Sequence, residues 1–150
     1  MIALRSMNVK RNLLLGYWIV LPVLFYFYLF LVSFNQHVTI QQLILQIPGF
    51  TLAFLLSFLM LFQAACLYLI GAQNEKKSLI EKRFLNFSLF QHILTGNIIG
   101  AALCYFYSRN MFAEKQTASR NEKFIFCFAI GFISLISVVV IVIATRLKGV

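Results

Sequence analysis

Residues 13–34, LLLGYWIVLPVLFYFYLFLVSF, carry no charged side chain. A hydrocarbon core about 30 Å thick takes roughly 20 apolar residues in helix, so this run alone is long enough to cross a bilayer. Pro22 removes one backbone hydrogen bond inside it, and neighbouring helices in a membrane readily make good such a loss. The run exceeds the usual core of a signal peptide and no A-x-A-like site follows it, so it is expected to stay in the mature protein.

Three further runs of the same character follow at 49–71, 84–107 and 124–145. Lipid cannot hydrogen-bond an exposed backbone, which selects helices or closed barrels. Barrel strands would alternate in polarity, and these runs do not. Around them the composition agrees: 61% of the 150 residues are hydrophobic and 11% charged, with a mean hydropathy of +0.88. A soluble domain holds roughly a quarter charged residues, and so small a chain could not cover this much apolar surface in water. The expectation is an all-α integral membrane protein, one membrane domain over 1–150, built as a bundle of four transmembrane helices.

The connections set the orientation. Residues 35–48 contain no charged side chain. There Ile40, Leu43, Ile44 and Ile47 recur at helical spacing, which predicts a short interfacial helix, ended by Pro48 and Gly49. Residues 72–83 carry Lys76, Lys77, Lys82 and Arg83, and residues 108–123 carry Arg109, Lys115, Arg120 and Lys123. Basic residues near short loops favour the cytoplasm. With four crossings and both termini inside, nine of the 13 basic residues are cytoplasmic, so the bundle is read as N-in/C-in. A re-entrant third segment would raise that number to eleven, but the segment is long enough to cross. Tyr17 with Trp18, and Tyr105 with Tyr107, suit the two interfaces.

The third run holds the polar residues of interest. At 100° per residue, Ser88, Gln91, His92 and Thr95 fall within about 100° of arc, with Asn97 roughly opposite. Gly96 and Gly100 form a G-x-x-x-G beside the stripe. Counted from Arg83, His92 lies about 13 Å deep, near the midplane. The stripe is expected to face the other helices, with glycines admitting close approach and polar side chains bonding across. The competing reading makes His92 a titrating or ligand-binding group, because ionisable residues at such depth are costly and often functional. Ser57 and Gln63, and Ser134 and Ser137 beside Gly131, are candidate packing partners.

Several chemistries are set aside. The net charge of +9 flanks apolar runs instead of forming a basic, aromatic-laced polar surface, so nucleic acid is not expected. The spans contain no carboxylate, lysine or arginine and the chain has no Asp, which disfavours proton-coupled transport and aspartyl proteolysis. No sequence around His92 prepares a serine nucleophile. Phosphate-cradling loops, metal-ligand spacings and internal repeats are lacking, and neither an enzyme nor a cofactor is expected. Cys66, Cys104 and Cys127 read as free thiols packed as small hydrophobes, with a Cys104–Cys127 disulfide as the alternative.

In size, basic charge and multiple spans the chain resembles two groups of bacterial inner-membrane proteins. These are the immunity proteins to pore-forming bacteriocins and the exclusion proteins of conjugative plasmids. The resemblance implies a multi-pass inner-membrane protein whose partner, beyond the lipid bilayer, is another membrane or envelope protein. Arg109, Lys115, Arg120 and Lys123 are then the partner-binding candidates, on an outer loop. The alternatives are a channel or transporter subunit, oligomeric and with the third span lining the path, or an accessory subunit of a larger membrane complex.

Overall fold

Apolar runs without charge become helices here because nothing else satisfies their backbones in lipid. In the computed structural model, which describes residues 2–72, 79–109, 111 and 120–148, every element formed is helical. The long helices are α1 (Ile2–Gln36), α3 (Pro48–Ala72) and α6 (Arg120–Lys148); the short ones are α2 (Ile40–Gln46), α4 (Leu79–Leu94) and α5 (Ile98–Arg109). Among the described residues, three stretches are long and apolar enough to cross a membrane: Asn8–Gln36, Pro48–Gly71 and Arg120–Leu147.

The short helix expected after the first span forms as α2. His37, with φ 55°, ends α1 in the left-handed region. Thr39 then caps α2 in a reciprocal box with Gln42, which satisfies the free amides of its first turn. Leu43 is the α2 residue buried against the bundle. Pro48 does not merely stop this helix; it opens α3, at the position where a missing N–H costs nothing.

The third apolar run departs from expectation. Residues 84–107 are not one helix, because the chain breaks at Thr95–Asn97 and turns back on itself. The Tyr107 hydroxyl donates to Glu81 at 2.6 Å, Ser108 to Asn86 at 2.5 Å, and Lys82 Nζ to the Met111 carbonyl at 3.2 Å. Those pairs join the end of α5 to the start of α4, so the two run antiparallel as a hairpin. With 16 and 12 residues, the arms measure about 24 Å and 18 Å, each short of a hydrocarbon core.

The sequence at the turn explains the break. Gly96 has φ +77°, which glycine adopts without the Cβ penalty. The Asn97 amide donates to the His92 carbonyl at 2.8 Å and the Gly96 amide to Ile93 at 3.1 Å, the paired closure of a Schellman motif. Asn97 then starts the next helix, its Oδ1 accepting from the Gly100 amide at 3.0 Å, as an N-cap does.

Pairs between the long helices fix their directions. Tyr26 meets Phe54 and Tyr28 meets Phe50, so α1 and α3 are antiparallel. Phe58 and Phe62 meet Phe132 and Phe128 respectively, so α6 is antiparallel to α3 and parallel to α1. The hairpin fills the space beside them. Trp18, Leu67, Phe84, Cys104, Tyr107 and Ile133 are almost fully buried where these helices meet. Outward faces are apolar, with Phe34 74% and Ile98 78% exposed, which suits lipid and not water.

Candidate functional site: the polar floor at the hairpin tip

Turning the hairpin inward gathers the polar residues of α4 against α1 and α3. Ser88, Gln91 and His92 are buried, as are Ser57 and Gln63 of α3. Gln63 Nε2 donates to Gln91 Oε1 at 2.9 Å, linking the midst of α3 to the hairpin. The Thr95 hydroxyl folds back onto the Gln91 carbonyl at 3.0 Å. At the tip, Tyr17 of α1 donates to Asn97 Oδ1 at 2.8 Å, and Asn97 Nδ2 points at Met60 Sδ at 3.7 Å. Met60 is the central residue of the 25-residue α3, so the tip reaches half-way along that helix.

His92 is 1% exposed and its ring lies 5.6 Å from that of Trp18. Its Nε2 has no hydrogen-bond partner among the described residues, and the same holds for Trp18 Nε1, Ser88 Oγ and Ser137 Oγ. A cavity of about 290 Å³ opens above the tip. Its floor is polar and neutral, made by Tyr17, Ser57, Gln91, His92, Thr95 and Asn97. Its walls are apolar, from Leu21 and Phe25 of α1 and from Ala53 and Leu56 of α3. Leu21 and Gly96 are exposed at its edge, so the cavity opens toward the lipid-facing side.

The stripe therefore assembles, but the glycines beside it act differently from expectation. A Cβ on Gly96 would meet nothing within 4 Å, and the atoms nearest one on Gly100 belong to the Asn97 side chain of the same hairpin. Neither is a close approach between neighbouring helices; Gly96 serves the turn, and Gly100 leaves room for the cap. The close approach is at Gly71, where a Cβ would run into the Arg11 guanidinium. Asn97 and Tyr17 were not singled out as a pair. Their signal was the short string Thr95-Gly96-Asn97, a helix stop followed by a helix start.

A second cluster closes the hairpin base. Arg11 Nε lies 3.9 Å from Glu81 Oε1, and Tyr107 donates to the same oxygen. Glu81 and Glu122 are 2% and 0% exposed. Around them Arg83, Arg109, Arg120 and Lys123 are exposed. Lys115 falls outside the described residues. The three cysteines are free, with Cys66 and Cys104 buried and Cys127 exposed, so the Cys104–Cys127 disulfide does not form. Among the described residues, no group of three or more potential metal ligands comes together. Comparison of the chain with protein-family models, curated proteins and solved structures finds no match.

Proposed function

We propose that the chain is a non-enzymatic, multi-pass protein of the bacterial inner membrane that acts by recognising another membrane or envelope protein, in the manner of immunity or plasmid-exclusion proteins. The observation that carries this reading is the cationic rim at the hairpin base. Both described carboxylates there, Glu81 and Glu122, are turned inward, while Arg83, Arg109, Arg120 and Lys123 face outward. Among the described residues the outward-facing charge of the rim is thus positive, which suits an acidic surface on a partner and governs encounter rate more than residence time.

The same proposal replaces four crossings with three, α1, α3 and α6, and reads α4–α5 as a re-entrant hairpin. The N-terminus is then cytoplasmic and the C-terminus external. Eleven of the 13 basic residues lie on the cytoplasmic side, leaving Arg146 and Lys148 across the membrane, a stronger bias than four crossings allow. Arg109, Lys115, Arg120 and Lys123 accordingly act from inside, not from an outer loop.

Single cysteines at Thr117 and Val150, in a chain whose native cysteines are replaced, test the orientation. Thr117 should be protected in intact cells and Val150 labelled; the reverse pattern at both sites overturns the proposed orientation. For recognition, Arg109→Glu with Arg120→Glu should weaken protection against a pore-forming bacteriocin, or exclusion of an incoming plasmid, at unchanged membrane abundance. Full protection by that variant at low ionic strength would sink the rim as the binding surface. The midplane cavity favours a second reading, a channel or transporter subunit, which ion or solute flux in proteoliposomes would establish.

A further inference from the structure

Two features of the fold adjoin each other, and the rim-based reading uses neither. One is the cavity with the neutral polar floor, about 290 Å³. The other is a shallow apolar groove of about 390 Å³ along α1, lined by Gly16, Tyr17, Val20, Leu21 and Leu24. Tyr17 and Leu21 border both, so head cavity and groove are continuous. The groove is open beside Gly16, where a Cβ would meet nothing within 4 Å.

We propose that this continuous site binds an uncharged, single-chain amphiphile from the lipid phase, its hydroxyl or carbonyl oxygen hydrogen-bonded at His92 Nε2 and its hydrocarbon chain lying along Gly16–Leu24 of α1. The buried, unpartnered Nε2 is the group that calls for an oxygen, because an unpaired polar atom in an apolar interior is costly. No lysine, arginine, aspartate or glutamate lines the cavity, and a charge near the midplane would be expensive, so the head is neutral. The edge at Leu21 and Gly96 faces lipid, so the ligand arrives by partitioning through the bilayer. The cavity lies at the small end of the usual range for ligand sites, roughly 300–1,000 Å³. It therefore takes a compact oxygen head, with the chain left outside in the groove.

The chain has only two histidines, and His37 lies at the far end of α1 from the hairpin base, outside the cavity lining. Selective carbon-13 labelling of histidine in the purified full chain therefore gives a site probe with an internal control. Titration in micelles with 1-dodecanol or 2-tridecanone should move the His92 ring signal saturably and leave His37 unmoved. The two probes separate a hydroxyl head from a carbonyl head. Dodecane, which lacks the oxygen, should leave His92 unmoved, and laurate should shift it at least tenfold more weakly. Leu21→Trp, which fills the shared edge, should weaken the response at least tenfold with helicity unchanged. An equal response to dodecane, an equal or stronger one to laurate, or no saturable shift with either oxygenated probe would each overturn the proposal, whatever the fate of Leu21→Trp.

Discussion

Asn97→Ala tests the hairpin at its hinge. The Asn97 side chain has two tasks there: Oδ1 accepts from the Gly100 amide at 3.0 Å and from the Tyr17 hydroxyl at 2.8 Å. Losing an N-cap costs typically about 1 kcal/mol. A hydrogen bond between helices in a membrane averages about 0.6 kcal/mol. Together they give a loss of about 1.6 kcal/mol, roughly a fifteenfold shift toward the unfolded form. Reversible unfolding by a denaturing detergent in mixed micelles, followed by Trp18 fluorescence, would read it. Tyr17→Phe should lose only the smaller share, and Asn97→Ser should recover most of the cap. The double variant Tyr17→Phe with Asn97→Ala should be little worse than Asn97→Ala alone, because both remove one shared bond. A loss under about 0.3 kcal/mol for Asn97→Ala, below what a missing cap costs, would refute the assignment of Asn97 as cap and anchor.

Gly96→Ala should destabilise by roughly 1–2 kcal/mol, the Cβ penalty of a left-handed backbone, since the space around it is open. Gly96→Asn should lose less, because asparagine tolerates that conformation; equal losses in the same titration would point to sterics instead. Tyr107→Phe removes a bond to the buried Glu81 carboxylate, of a kind worth about 1.5–3 kcal/mol, and should loosen the hairpin base. Counted by mass after maleimide treatment in micelles, the unaltered chain should label at Cys127 well before Cys104, and Tyr107→Phe should speed labelling at Cys104. Unchanged Cys104 kinetics would show that the base does not depend on this bond.

The long helices were legible because hydropathy over some twenty residues is a bulk property, and α1, α3 and α6 have it without interruption. The short helix α2 was legible from the spacing of Ile40, Leu43, Ile44 and Ile47. The break within 84–107 was not, because a window that counts only charge and apolarity passes over Thr95-Gly96-Asn97 unchanged. Gly96 and Gly100 were read as a packing motif, and that reading presupposed a continuous helix. So did the angle that set Asn97 opposite the stripe: once Gly96 turns the chain, residues on either side no longer share an axis. The basic loop at 108–123 carried the contrary signal, being as positive as the loop before the hairpin. Of the polar stripe, Ser88, Gln91 and His92 are all buried; the cavity above them depends on where the chain turns.

The turn also accounts for why the polar residues collect at this level. A helix end leaves up to four amides or four carbonyls without internal partners, and a hairpin tip places two such ends together, in the proposed re-entrant arrangement where lipid offers no hydrogen bonds. A straight span would need none of this. Here the Schellman closure uses the His92 and Ile93 carbonyls, Thr95 covers the Gln91 carbonyl, and Asn97 takes the Gly100 amide. Tyr17 and Gln63 reach in from α1 and α3 to hold the polar surface so created. Most of the stripe therefore follows from making a turn inside an apolar medium. His92 Nε2 and Ser88 Oγ stand apart, because no bond of the turn requires them and none of the described residues pairs with either. Replacing His92, whose Nε2 is buried without a partner, bears most directly on the proposed binding.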